Sequence, residues 1–151
     1  MLSGLLALAG ALGACDQGSP AAGDVVFRTD TTVYLESASA PQAVLAYIHN
    51  STGRAITVPY CDIGDAAYPS AAVIIQRQLS PTVWSADSLP TYCADPANRY
   101  AKILVSGAEV EVSRLIPVEG NGTYRYLLAY TPDGGAEGVV ISNAFTVTGA
   151  P

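Results

Sequence analysis

The sequence contains three cysteines and one histidine, and these residues offer most of its reactive side-chain chemistry: Cys15, Cys61, Cys93 and His49. A thiol can be alkylated, oxidised to a disulfide or bound to a metal ion, and an imidazole can serve as a general base. His49 would need a nucleophile and an orienting acid beside it. It ends an apolar segment beside a turn, so we expect a surface histidine or one with satisfied hydrogen bonds.

No established catalytic pattern accompanies these side chains. The sequence contains no GxSxG, HExxH, Walker-type or dinucleotide-binding motif. We therefore predict that the protein is not an enzyme, with no catalytic residues and no cofactor.

Cys15 closes a segment that begins with an apolar run over residues 5–11. This run fits the core of a signal peptide, about 7 to 15 residues, and is shorter than the roughly 20 residues of a membrane-spanning helix. The segment ends in Leu12, Gly13, Ala14 and Cys15, which resembles the lipobox of bacterial lipoprotein signal peptides. In that family the cysteine thiol receives a diacylglyceryl group and the chain is cut just before it. The resemblance implies a mature chain that begins at Cys15 and is held on a membrane by lipid.

The N-terminal region has one departure from this family and one alternative interpretation. Residues 1–3 carry no Lys or Arg, whereas a signal peptide normally begins with basic residues. The apolar run could instead form a short buried helix with an ordinary core cysteine. Residues 15–23 are rich in small and turn-forming residues, which predicts a flexible tether with a reach on the order of 15 Å. The expected location is the bacterial cell envelope, on the periplasmic or extracellular face.

Composition limits the partners of the mature chain. Charged residues make up 13% of the sequence and hydrophobic residues 50%, so the chain can bury a core and fits a single domain. The formal net charge is −6, and such a surface repels the phosphates of nucleic acid. We expect contact with the membrane through the N-terminal lipid and with another envelope protein or a surface polymer.

With Cys15 assigned to the lipid, Cys61 and Cys93 remain as a pair. Disulfides persist in the compartment that the lipobox implies, so we predict that these two cysteines are bonded. Closing a loop of about 32 residues would stabilise the fold by roughly 3 to 4 kcal/mol. A zinc site is the alternative, but no CxxC motif and only one histidine are available for it. Four loop aspartates near the cysteines could bind calcium, although solvated loop acids are the commoner case, and no metal site is predicted: Asp62, Asp65, Asp87 and Asp95.

Short runs of β-branched and aromatic residues, separated by turn signals, follow from residue 25 onward. No segment after Cys15 has a sustained helical period. The pattern predicts strands at 25–28, 33–36, 43–50, 56–58, 71–79, 101–105, 110–114, 123–130, 138–141 and 143–147. The segment 81–84 either continues the strand 71–79 or opens the neighbouring strand. About eight to ten short strands with regular turns favour an antiparallel β-sandwich.

Two of these strands carry specific expectations. The segment 43–50 is apolar on both faces for most of its length, so we expect it to be buried on both sides. The turn at 50–53, with Gly53 at positive φ, predicts that 43–50 and 56–58 form a hairpin. The segment 123–130 is also apolar or aromatic on both faces and is the best candidate for a central strand.

The order of features along the chain supports a family assignment. An apolar strand and an Asn-x-x-Gly turn are followed by Trp84, by Ser106-Gly107 before an alternating strand, and by the segments 122–125 and 142–147. This order resembles the bacterial immunoglobulin-like domains of envelope lipoproteins.

That resemblance covers residues 24–148 and implies an immunoglobulin-like β-sandwich after a signal peptide at 1–14 and a tether at 15–23, with 149–151 as a tail. In such sandwiches a tyrosine at the entry to a late strand anchors the preceding corner through its hydroxyl, and Tyr124 has that position. Cys61 and Cys93 do not bracket Trp84 as in antibody domains, so their bond is expected to tie loops.

Aromatic residues near the cysteines form the candidate binding surface: Tyr60, Tyr68, Trp84, Tyr92 and Tyr100. Aromatic side chains recur in recognition surfaces because they add contact area with few rotatable bonds. The alternative is that they cap the ends of the sandwich. The sequence thus favours a non-enzymatic, lipid-anchored interaction or structural module. The second hypothesis is an envelope protease inhibitor of the small β-sandwich type, which shares the Gly-x-Tyr hairpin and a loop containing Trp.

The lipobox predicts that palmitate labels the protein through Cys15. When cells are grown with labelled palmitate, the wild-type chain should incorporate it and Cys15→Ala should not. Cys61→Ala and Cys93→Ala serve as matched controls and should be labelled like the wild type. Unchanged labelling of Cys15→Ala would contradict the assignment.

Overall fold

A computed structural model describes residues 23–36, 43–61, 70–85, 95–115 and 121–149. About two thirds of these residues lie in strands, and Pro96–Asn98 forms a 3₁₀ turn. The strands are β1 (Val25–Thr29), β2 (Val33–Glu36), β3 (Ala43–Asn50), β4 (Ile56–Cys61), β5 (Ser70–Ala71), β6 (Ile74–Ser80), β7 (Val83–Trp84), β8 (Arg99–Leu104), β9 (Glu109–Leu115), β10 (Gly122–Pro132), β11 (Gly138–Ile141) and β12 (Phe145–Gly149). Within these ranges no helix is long and apolar enough to cross a membrane. The predicted signal peptide and most of the predicted tether lie outside the described residues.

The strands form two sheets. The smaller sheet has the order β1-β3-β9, and the larger one has the order β2-β12-β10-β4-β5, with β6, β7, β8 and β11 attached to it. All pairs are antiparallel except β2 with β12, which run parallel. The all-β architecture agrees with the expected β-sandwich.

Strand β10 is the centre of the larger sheet, as the sequence predicted. Along one side it pairs first with β12 and then with β11. Along the other side it pairs first with β6 and then with β4. A strand with neighbours on both sides needs side chains that suit burial along its whole length, and the apolar and aromatic run of 123–130 supplies them.

The core lies between the two sheets and follows the two-residue period of the strands. Val44, Ala46 and Ile48 point into it from β3, and Tyr124, Tyr126 and Leu128 point into it from β10. The rings of Phe27 and Tyr126 stack at 6.1 Å between centroids, which brings β1 against the larger sheet. One buried cluster therefore unites both sheets: Val25, Phe27, Tyr34, Val44, Ala46, Ile48, Ile56, Val58, Tyr60, Ala71, Val73, Leu104, Val112, Tyr124, Tyr126, Leu128, Phe145 and Val147.

The second face of β3 is less buried than its sequence suggested. Leu45, Tyr47 and His49 alternate with the buried residues and are half-buried. Only one face of the smaller sheet meets the other sheet, so this side is covered by surface side chains such as Arg28, whose guanidinium lies 5.0 Å from the Tyr47 ring. The prediction of burial on both sides was wrong for this face.

The predicted hairpin between 43–50 and 56–58 is also wrong. Strand β3 pairs with β1 and β9, whereas β4 pairs with β5, β8 and β10 in the other sheet. The turn is present, with Gly53 at φ 74°, but it carries the chain from one sheet to the other.

Asn50 explains this crossing. Its side chain is buried, and its Nδ2 donates to the carbonyl oxygens of Arg54 at 2.8 Å and Leu104 at 2.9 Å. Its Oδ1 accepts from the Thr52 backbone N–H at 3.1 Å and from the Thr52 hydroxyl at 2.8 Å. These bonds close the turn and attach it to β8, so they hold the end of the smaller sheet against the larger one.

The passage from β1 to β2 is a second crossing between the sheets. The Tyr34 hydroxyl donates to Asp30 Oδ1, and the backbone N–H of Thr29 donates to Asn143 Oδ1 at 2.8 Å. Burial, and then the bond with Asp30, raises the pKa of Tyr34 above that of a free tyrosine. The hydroxyl therefore keeps its proton, and continues to donate to Asp30, at pH values at which a free tyrosine would ionise.

Several strand boundaries differ from the predicted ones. The segment 71–79 is divided into β5 and β6. Strand β4, which was predicted at 56–58, extends to Cys61. The last strand begins at Phe145, because Ser142 interrupts the edge between β11 and β12. Its hydroxyl accepts from the Tyr126 N–H at 2.9 Å and donates to the Asn143 carbonyl at 2.8 Å. Gly149, expected in the tail, lies in β12.

Replacing Asn50 by alanine should destabilise the fold strongly. Asn50→Ala leaves the carbonyls of Arg54 and Leu104 without this donor, and we expect a loss of about 2 to 3 kcal/mol in the free energy of unfolding. Urea denaturation measures it as a lower midpoint with an unchanged slope. Ser51→Ala, next to it in the same turn, should change stability by less than about 0.5 kcal/mol. Equal effects of the two variants would show that Asn50 does not hold the turn.

Candidate functional site

Of the five aromatic residues predicted as a binding surface, the three that the structure describes do not share one exposed face. Tyr60 is fully buried at the end of β4, and its ring lies 5.7 Å from that of Tyr100, which is 43% exposed on the neighbouring β8. The Lys102 ammonium lies 5.0 Å from the Tyr60 ring. Tyr60 thus packs as the capping alternative requires, and Tyr68 and Tyr92 lie outside the described residues.

Cys61 follows Tyr60 and is also fully buried. Cys93 lies outside the described residues, so its pairing with Cys61 stays a prediction.

Burial controls the acidity of Tyr60. Removal from solvent, and then the neighbouring Tyr100, raises its pKa to about 12. Within the described part of the chain its hydroxyl is buried without a hydrogen-bond partner. A buried phenol of this kind stays protonated near neutral pH and contributes to the structure by packing.

Trp84 lies on the larger sheet in β7, away from the tyrosine pair. The Arg125 guanidinium covers its ring at 4.1 Å. Arg125 Nε also donates to Gln76 Oε1 at 2.8 Å. This cation–π contact and hydrogen bond join β7, β10 and β6 across the outer face of the sheet.

His49 lies on the outer face of the smaller sheet. Its Nδ1 is 4.0 Å from Glu109 Oε2, and Arg28 Nη2 is 3.2 Å from the same oxygen. The carboxylate thus contacts one guanidinium and one imidazole on the exposed surface, where such contacts contribute little to stability.

One of the four aspartates considered for calcium is described. Asp95 Oδ1 accepts the Ala97 N–H at 2.9 Å and so caps the 3₁₀ turn. The other three lie outside the described residues. Among the described residues no three His, Cys, Asp or Glu side chains are grouped as metal ligands.

A groove between the two sheets is lined by polar surface and by exposed apolar side chains. It runs between the edge strands β1 and β11 and has a volume of about 380 Å³. Val139 and Ile141 on its rim are 58% and 46% exposed. The lining comprises Asp24, Val25, Val26, Phe27, Tyr130, Val139, Val140 and Ile141.

Both edges of this groove present unpaired backbone groups. On β1 the Asp24 carbonyl and the Asp30 N–H bond toward β3, and the direction alternates along a strand. The N–H and C=O groups of Val25 and Phe27 therefore point away from β3. On β11 the Ser142 N–H donates to Tyr126 of β10, so the groups of Val139 and Ile141 point away from β10. No bond among the described residues joins β1 to β11.

The two edges run in the same direction. The contact of Thr29 with Asn143 places the end of β1 beside the end of β11. Their beginnings therefore share the opposite end of the groove, where Asp24 precedes β1 and Glu137 precedes β11. Asp133 lies in the turn that leads to this end and donates its N–H to Ala55, next to Arg54. Three carboxylates and one guanidinium leave this end negative.

Sequence analysis did not identify the groove. Its only local signal is the short strand 138–141 after a glycine-rich turn, in which Val139 and Ile141 alternate with Gly138 and Val140. Which strands become sheet edges depends on long-range pairing, and a single sequence does not reveal that pairing.

Comparisons with known proteins add little to this geometry. No family model matches the chain. No curated protein matches it either. A crystal structure from Bordetella pertussis, provisionally named ApaA, is similar at 12% identity and a TM-score of 0.45, over 83% of this chain and 89% of that one. A likeness of this size carries no inference about activity.

The buried phenol predicts a pH dependence that Tyr60→Phe should remove. An unfolded chain releases the phenol proton around pH 10, whereas the folded protein retains it to about pH 12. Stability should therefore fall as pH rises through this window. Tyr60→Phe should lose this contribution to the alkaline decline and be as stable at pH 7 as the wild type, or more stable by up to about 1 kcal/mol.

Thermal unfolding across this pH range measures the effect, with Tyr100→Phe as the exposed control. A loss of more than about 1 kcal/mol at pH 7 in Tyr60→Phe would mean that the hydroxyl makes a stabilising hydrogen bond.

Proposed function

We propose that the chain is a non-enzymatic, lipid-anchored module of the bacterial cell envelope that binds another envelope protein. The observation that carries the proposal is the groove between β1 and β11. It combines exposed apolar side chains with unpaired backbone donors and acceptors, and proteins usually cover or charge such edges. A partner that covers the groove would bury the apolar side chains and form hydrogen bonds with the backbone donors and acceptors.

The sheet order supports an immunoglobulin-like sandwich as the scaffold. In such sandwiches one sheet carries strands A, B and E, and the other carries C, F and G with F in the middle. The orders β1-β3-β9 and β12-β10-β4 follow this arrangement. Tyr124 is buried near the start of β10, and its ring stacks at 6.1 Å on Phe145. The corner that its hydroxyl is expected to anchor lies outside the described residues.

The lipid anchor and the envelope location rest on the sequence, through Leu12, Gly13, Ala14 and Cys15. The proposed disulfide of Cys61 with Cys93 belongs to the same argument, because disulfides persist outside the cytoplasm. An anchored domain with a short tether stays close to the membrane, so a second envelope protein would meet it at high local concentration.

The protease-inhibitor alternative requires a loop that presents Trp84 to an enzyme. In the structure the indole ring lies in a short strand and is covered by Arg125. No described contact therefore favours this second function.

Site-specific crosslinking tests the proposed function. A photo-crosslinking amino acid at position 139, on the groove, should yield a discrete adduct in the cells that naturally contain the protein. The same amino acid at position 103 is the matched control, because Ile103 is similarly exposed, at 69%, on the edge strand β8. Excess unlabelled domain should compete away the adduct at 139. Equal adducts at both positions, or none at 139, would contradict a binding role for the groove.

A further inference from the structure

We infer that the groove binds an extended segment of a partner protein as an added β-strand, antiparallel to β11, with Lys or Arg beyond the C-terminal end of that segment. The inference rests on the proposed binding function and specifies its ligand. The unpaired groups of the edge, the alternation of side chains and the charge at one end of the groove each determine part of this ligand.

The backbone of β11 is prepared for strand addition. Val139 and Ile141 each direct one N–H and one C=O out of the sheet, so an antiparallel strand can form two hydrogen-bonded pairs with them. A strand of about four to five residues matches this edge in length. Because these bonds involve main-chain groups alone, they supply affinity without demanding a particular sequence.

The side chains around the edge select an alternating segment. Tyr130 and Val140 are partly buried, pack on the core and line the groove. Every second side chain of an added strand would face them, and a β-branched apolar residue such as valine suits that position. The intervening side chains would lie beside Val139 and Ile141 on the outer face, where threonine tolerates both neighbours and water.

The charge at one end gives the added strand its direction. An antiparallel strand ends where β11 begins, beside Asp24, Glu137 and Asp133. A basic residue following its last paired residue would meet these carboxylates, whereas an acidic residue there would be repelled. Arg54 nearby offsets only part of this negative charge.

The same charge disfavours a second copy of this chain as the occupant. The full sequence has a formal net charge of −6, so two copies repel one another, and in an antiparallel pair the acidic start of each β11 would lie beside the uncharged Ser142 and Asn143 of the other copy. A segment of opposite charge gains attraction at this acidic end, which a second copy does not. The partner strand therefore comes from a different protein.

A designed peptide tests the inference on the purified, unlipidated chain from residue 15 onward, produced as Cys15→Ala. The probe has blocked ends and three Thr-Val repeats followed by two lysines, about eight residues in all. It should bind saturably, and NMR should show that the largest amide shifts fall at positions 139–141. The retro-sequence peptide, with its lysines at the N-terminal end, should bind more weakly, and salt should reduce this preference.

Backbone variants separate strand addition from simple apolar contact. Val139→Pro removes one outward N–H from an edge strand that does not use it in the sheet, and should weaken peptide binding about tenfold. Val139→Thr keeps the N–H and should weaken it much less. Two N-methylated peptides, one modified at its valines and one at its threonines, also separate main-chain hydrogen bonding from apolar contact. They are tested on the wild-type chain, so its folding is not affected. One of the two should lose binding.

Several outcomes would overturn the inference. They are equal binding of the N-methylated and unmodified peptides, equal binding of the retro peptide, and no saturable binding. A dimer in sedimentation experiments that Val139→Pro dissociates would assign the groove to a second copy. Peptide binding that appears only after residues 16–22 are deleted would assign it to the chain itself. Crosslinking at position 139 in cells despite a negative peptide result would leave the proposed function intact and reject strand addition alone.

Discussion

The aromatic cluster between the two sheets is the contact on which the rest of the structure depends. Phe145 lies at its centre, with ring centroids 4.9 Å from Tyr126, 5.5 Å from Tyr34 and 6.1 Å from Tyr124. Phe27 of the smaller sheet stacks on Tyr126. Burial of large rings supplies much of the stabilising free energy of a small domain. The cluster also fixes β12 beside β10, and β11 must then take the remaining length of that edge and face the groove.

Local sequence patterns predicted most of the strands but not their partners. The alternation of Val44, Ala46 and Ile48 marks a strand with one buried face wherever that strand lies. The turn after it reads as a hairpin because Asn50 and Gly53 suit a reversal of the chain. Whether the chain returns in the same sheet depends on the bond from Asn50 to the carbonyl of Leu104, which lies 54 positions away. A single sequence does not show which distant residue the Asn50 side chain will bond.

The candidate site shows the same division between local and long-range information. The sequence directed attention to Tyr60 and Trp84 because aromatic residues often serve in recognition, yet one is in the core and the other lies under Arg125. Val139 and Ile141 look like ordinary strand residues. They become functional candidates because β10 has neighbours on both sides and leaves β11 with an open edge, and that property belongs to the sheet as a whole.

The parallel pair of β2 and β12 has a consequence for the order in which the protein folds. Its neighbouring contact, from Thr29 to Asn143, joins residues 114 positions apart, and contacts of such long range slow folding because a large loop must close first. Among the described strands, β2 pairs with β12 alone and therefore stays unpaired until β12 is synthesised, whereas β1 can pair earlier with β3. Until then the larger sheet lacks β12, and Phe145 is absent from the core. The chain should therefore complete its fold late, after β12 has been synthesised.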